Sequence, residues 1–78
     1  MELTPCESSQ ISATGYDAVS KKMRIQFKDR NGNPGSVYDY DNVEARVYDA
    51  MISAPSIGSF FSSEIKKNPA RFPYRKLS

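Results

Sequence analysis

The chain predicts an α+β fold, with a small three-stranded antiparallel sheet followed by two helices packed on one of its faces. Three observations carry that prediction. Met23, Ile25 and Phe27 alternate with Arg24, Gln26 and Lys28, the period of a half-buried strand. The segment Asp29–Ser36 holds Asn-Gly and Asn-Pro-Gly, turn chemistry that closes a hairpin. From Asp41 onward the apolar residues switch to helical spacing.

The elements follow in order. A first strand is expected at Ile11 to Tyr16, where Gly15 suggests a bulge or a close approach of another backbone. The second is Lys22 to Lys28, and the hairpin returns along Ser36 to Tyr40. Asp41 has the chemistry of a helix N-cap, with Glu44 three residues on to complete a capping box. Val43, Val47, Ala50, Met51 and Ala54 then define one apolar face, and Pro55 ends the helix. A second helix begins after Ser56, with Ile57, Phe60, Phe61 and Ile65 on its apolar side. Lys66 and Lys67 suit the negative end of its dipole, and Pro69 closes it. The remainder, Ala70 to Ser78, has no clear period.

Length and composition narrow the function. Seventy-eight residues make one domain that needs most of its large apolar side chains for its core, which leaves few for an elaborate active site. No apolar run reaches the length of a membrane span, and Met1–Pro5 lacks the pattern of a signal peptide. With Cys6 the single cysteine, no internal disulfide can form, and a cytoplasmic location is expected. Without histidine the chain lacks the commonest general base and metal ligand, so no enzyme, cofactor or zinc site is expected. Asp39, Asp41, Glu44 and Asp49 suggest magnesium only weakly, since helix capping explains Asp41 and Glu44 better.

The charge is uneven. From Ile65 to the end there are five basic residues and no acid, while the first 64 residues hold six basic and nine acidic ones. That segment therefore suggests an anionic partner, or else a solvated terminus. In it Lys66, Lys67, Arg71, Arg75 and Lys76 lie near Phe72 and Tyr74, the pairing of cations with stacking rings used on single-stranded nucleic acid. The other reading is that Phe72 and Tyr74 fold back over the core.

Tyr38 and Tyr40 share one face of their strand, while Val37, Asp39 and Asp41 share the other. Burying an unpartnered Asp39 is costly, whereas burying two tyrosine rings is favourable. The tyrosines are therefore expected to point inward, leaving Arg24, Gln26 and Lys28 beside Asp39 on a mixed-charge outer face.

The series Gly15-Tyr16-Asp17, then Tyr38, Tyr40 and Val43, then Gly58, Phe61 and Ile65, resembles the KTSC domain, over roughly residues 8 to 67. That leaves 68–78 as a basic tail. The family takes its name from occurrence at the C-terminus of some lysyl-tRNA synthetases, and it also occurs as a lone domain in bacteria and phages. One departure is Glu44, where the family usually has a proline. The resemblance implies a direction, RNA binding, and supplies no catalytic residues. Two expectations follow: an RNA-binding accessory module using the basic C-terminal segment, or a protein-interaction module that binds a host protein or itself.

Overall fold

The computed structural model covers residues 1–78 and forms a five-stranded antiparallel meander rather than a three-stranded sheet. The strands are β1 (Thr4–Pro5), β2 (Ile11–Asp17), β3 (Lys22–Lys28), β4 (Pro34–Tyr40) and β5 (Tyr74–Lys76), adjacent in that order. Helix α1 spans Ala45–Ile52 and α2 spans Ile57–Phe60, after which the chain widens into a π-helical segment, Phe61–Lys66. The expected β-β-β-α-α order thus gains a short strand at each end. Neither carries a sequence period: β1 is two residues long, and β5 is three residues that are all exposed.

The turns follow their side-chain chemistry. Asp29 Oδ1 accepts the backbone N–H groups of Asn31 and Asn33, each at 2.9 Å, and Gly32 takes the positive φ of 81° that the turn requires. At the β2–β3 turn Asp17 Oδ1 accepts from Val19 N–H at 3.0 Å, which lowers its carboxyl below the ordinary range. Gly15 marks a close backbone approach, as expected. A side chain there would place its Cβ 2.5 Å from the Glu2 carbonyl oxygen, so the N-terminal segment crosses the sheet where only glycine fits. The bulge lies elsewhere in β2, between Ile11 and Ala13.

One contiguous core joins the inner face of the sheet to both helices. Ile11, Met23 and Ile25 pack with Val43, Met51, Ile57, Phe61 and Ile65, all buried. Helix α1 departs from expectation at its start. Asn42 adopts φ 64°, which breaks the chain before a helix can begin at Asp41, and its side-chain amide donates to the Arg71 carbonyl at 3.1 Å. Glu44 becomes the N-cap at φ −73°, with no side-chain capping bond, and pairs instead with Arg46 at 3.0 Å. That φ is close to the one a proline ring enforces, so the family's usual proline fits this position. On the helix itself Met51 is buried and Val47 and Tyr48 pack against the core, while Ala50 faces solvent. Helix α2 begins as expected, with Ser56 Oγ accepting from Ser59 N–H.

The outer face of the sheet differs from the expectation that it is a solvated, mixed-charge surface. Asp39 is 3% exposed and is held by Arg24, whose Nε and Nη2 donate to its two carboxylate oxygens at 2.7 and 3.1 Å. Cross-strand pairing sets Arg24 on one side of Asp39 and Arg75 on the other. The Arg24 guanidinium holds the Asp39 carboxyl below its ordinary value.

Candidate aromatic cleft

The C-terminal residues, expected as a loose tail, are divided by the fold among three environments. Phe72 is 2% exposed and belongs to the core, so it is not available for stacking; the Arg71 guanidinium lies 5.0 Å from its ring centre. Beyond it Asp41 N–H donates to the Pro73 carbonyl at 2.8 Å, which starts the pairing of β5 with β4. Arg75 then falls opposite Asp39 on the outer face. Tyr74 pairs with Tyr40 and Lys76 with Tyr38, so strand alternation places both on the inner face. Lys66 lies at the end of the π-helical segment, and Lys67 follows, exposed.

Between β4, β5 and the π-helical segment lies an open cleft of about 570 Å³. Its aromatic wall is contributed by Phe27, Tyr38, Tyr40, Phe61 and Tyr74, and Lys28 and Lys66 also line it. The i→i+5 widening brings Phe61, Ile65 and Lys66 to the same side of their turn; π-helical turns often accompany functional sites. A second local feature lies at the start of β4. The β3–β4 register shifts between Gln26 and Lys28, with the extra residue on β4 between Pro34 and Val37, so the consecutive Gly35 and Ser36 line the cleft together with Phe27 and Lys28 at the end of β3.

The rings form a closed circuit. Centroid separations are 5.6 Å for Phe27–Tyr38, 5.9 Å for Tyr38–Tyr74, 5.7 Å for Tyr74–Tyr40, 5.3 Å for Tyr40–Phe61 and 5.4 Å for Phe61–Phe27. Such distances lie in the favourable range for aromatic pairs. Tyr40 is buried, Tyr38 half-buried, and Tyr74 is 57% exposed at the lip. Burial, followed by the neighbouring Tyr38 and Tyr74, pushes the Tyr40 hydroxyl up to about 12. It remains a neutral hydrogen-bonding group at any physiological pH.

Sequence reasoning assigned Tyr38 and Tyr40 to the core, and they do pack inward, as members of a partly open wall. It did not find Phe27 and Lys28 as cleft residues, because only the packing of the π-helical segment and β5 against the sheet encloses the end of β3 in a cleft. The remaining motif residues have packing roles. Tyr16 stacks on Tyr48 at 4.9 Å and donates its hydroxyl to the Val43 carbonyl at 2.6 Å, while Thr14 and Tyr48 share a 2.9 Å hydrogen bond. Gly58 is buried beneath the side chains of Ser8 and Gln10. No group of three or more histidine, cysteine, aspartate or glutamate side chains gathers as a metal centre would require. No helix is long and apolar enough to cross a membrane.

Comparison with known proteins places these residues in a wider set. A protein of Tsukamurella paurometabola is 33% identical over 64 residues, covering 82% of this chain and 88% of that protein. A lysine–tRNA ligase from a Nostoc species is 32% identical over 72 residues, 92% of this chain but 11% of the ligase. The crystal structure of a KTSC domain protein from Yersinia pestis superposes with a TM-score of 0.83 at 34% identity, covering 99% of this chain and 97% of that one. The KTSC domain model itself matches residues 7–68, from the loop before β2 through the π-helical segment, and the chain belongs to the KTSC domain family.

Proposed function

We propose that the domain is a non-enzymatic nucleic-acid-binding accessory module, with RNA as the favoured ligand, and that it binds through the end of the molecule where β5 meets the π-helical segment. The observation that carries this reading is Tyr74, an exposed ring set over an aromatic wall whose surroundings include Lys28 and Lys66. Rings that stack on bases, flanked by cations that meet phosphates, are the working parts of single-strand binders. Lys67, Arg71 and Lys76 are exposed nearby in sequence and extend the positive surface. The match to a segment of a lysine–tRNA ligase supports the same direction, since that protein is named for a tRNA substrate.

Fluorescence anisotropy of labelled single-stranded RNA, tRNA and duplex DNA, each at low and near-physiological salt, tests the reading. We expect binding that weakens steeply with salt, with a slope near −0.7 per phosphate contacted on a single strand. Flat curves at high protein concentration and low salt would refute it.

A second reading rests on a different observation. Strand β5 is an edge strand of three exposed residues, with β4 its one sheet neighbour, so its far side offers backbone groups to another chain. A mass that rises with concentration in light scattering would favour this protein-interaction role.

A further inference from the structure

We propose that the aromatic cleft is a single-base pocket, holding one unpaired base of a single-stranded RNA against Tyr74 with the adjoining phosphates on Lys28 and Lys66. The proposal rests on the nucleic-acid reading above and names the occupant of its site.

The first support is the division of labour among the five rings. Tyr40 and Phe61 are buried, and Phe27 and Tyr38 are half-buried, so four members of the circuit are held in place by the fold. Tyr74 alone stands largely open, at the lip. A planar ligand entering there meets a fixed wall and orders few side chains on arrival. The cleft is also larger than one side chain needs and falls in the size range of small-ligand sites.

The second support is charge, which separates a base carrying phosphate from the other usual occupant of an aromatic enclosure. Rings around a cavity also bind ammonium groups, and such cages suit cations. Here the cleft is lined by two lysines, and neither has a carboxylate partner; the ion pairs of the molecule are Lys22–Asp41, Arg24–Asp39 and Arg46–Glu44. The single acid that lines the cleft, Asp29, has a carboxylate oxygen occupied by the backbone N–H groups of Asn31 and Asn33. The lining therefore carries two lysines against one carboxylate, a balance that favours a phosphate over a cation.

The third support is access. Tyr74 is the most exposed ring of the lining, and Lys76 shares its face of β5. A single strand can lie along that lip and present one base inward. A duplex keeps its bases stacked and paired, and so presents none to a wall of this kind.

The test is anisotropy of a labelled oligoribonucleotide of about six nucleotides, a typical single-strand site size. It compares the native chain with Tyr74→Ala, Tyr74→Phe and the double variant Lys28→Gln/Lys66→Gln, with circular dichroism to check folding. Tyr74→Ala is expected to weaken binding by roughly 5- to 150-fold, the range of one base–aromatic stack, while Tyr74→Phe keeps the ring and stays within about threefold. The double lysine variant is expected to lower the magnitude of the salt slope by about 1.4, two phosphates' worth. On addition of RNA, amide shifts should concentrate at Phe27–Lys28, Ser36–Tyr40 and Phe61–Lys66, not at Arg24. If the native chain binds RNA but a folded Tyr74→Ala variant binds equally well, the pocket is overturned while the nucleic-acid reading stands. If no RNA binds, both fall. Tighter binding of a trimethyllysine peptide than of RNA would overturn the pocket in favour of a cation cage.

Discussion

At the residue scale the most consequential side chain is Asp39. Parity argued that burying it alone is too costly to happen, and the molecule buries it by supplying a partner: Arg24 makes a two-point ion pair with a carboxylate whose side chain is 4% exposed. Replacing Arg24 with alanine is expected to cost roughly 2–4 kcal/mol. That lies toward the low end of the range for breaking a buried pair, because the Arg24 side chain is itself 31% exposed. The pH dependence follows from the direction of the shift. The paired carboxyl titrates below its ordinary 3.8, so its stabilisation is present above that value and fades as pH falls through the lowered one. Without the guanidinium the carboxyl loses the largest cause of its lowering, while burial still acts to raise it. The stability gap between native and Arg24→Ala proteins should therefore narrow on acidification below about pH 4, read by urea melts across pH 3 to 7. Tyr40 gives the alkaline counterpart. Its hydroxyl is raised from 10 to about 12, so the contribution is complete below pH 10 and is lost as pH rises toward 12. Native protein should lose roughly 2–3 kcal/mol over that interval, and Tyr40→Phe should show a shallower decline in the same melts.

At the scale of elements, strand β5 changes the meaning of the C-terminal residues. Its three residues are too few to show a period, and the strand is specified from outside itself, by the free edge of β4 and by the anchoring of Phe72 in the core. Two neighbouring aromatics thereby separate into different roles. Phe72→Ala is expected to destabilise the fold by about 3–5 kcal/mol, since it empties a core site. Tyr74→Ala, at a position more than half exposed, should cost under about 1 kcal/mol. Thermal melts of the two variants check the contrast, and the second also shows that Tyr74→Ala is a fair probe of binding. The bulge at the start of β4 has a comparable effect at the other side of the cleft, because it sets the consecutive Gly35 and Ser36 in the lining beside Phe27 and Lys28.

At the scale of the whole molecule, the excess of positive charge from Ile65 onward is distributed in space rather than carried on a tail. Lys66 and Tyr74 line the cleft, Arg75 faces Asp39 across the outer surface, and Phe72 closes the core. Removal of residues 69–78 is consequently a folding experiment before it is a binding experiment, since it deletes a strand and a core residue together. Point substitutions at Tyr74, Lys28 and Lys66 leave that framework in place.

The sequence by itself determined the central hairpin, the antiparallel order of β2 to β4, the presence and order of two helices, and the inward direction of Tyr38 and Tyr40. All of these are written in local periods and turn chemistry that a short window contains. It also carried the family resemblance, through residues whose roles are mostly to pack. Tertiary structure decided the rest. The two terminal strands exist because a formed sheet has free edges. Helix α1 starts late because Asn42 takes a left-handed conformation and its side chain bonds to the Arg71 carbonyl, 29 residues away. The cleft, finally, assembles the end of β3, the bulged start and alternate residues of β4, one turn of π-helix and the first residue of β5. Only closure of the chain brings those four together, and no local pattern in the sequence records their meeting.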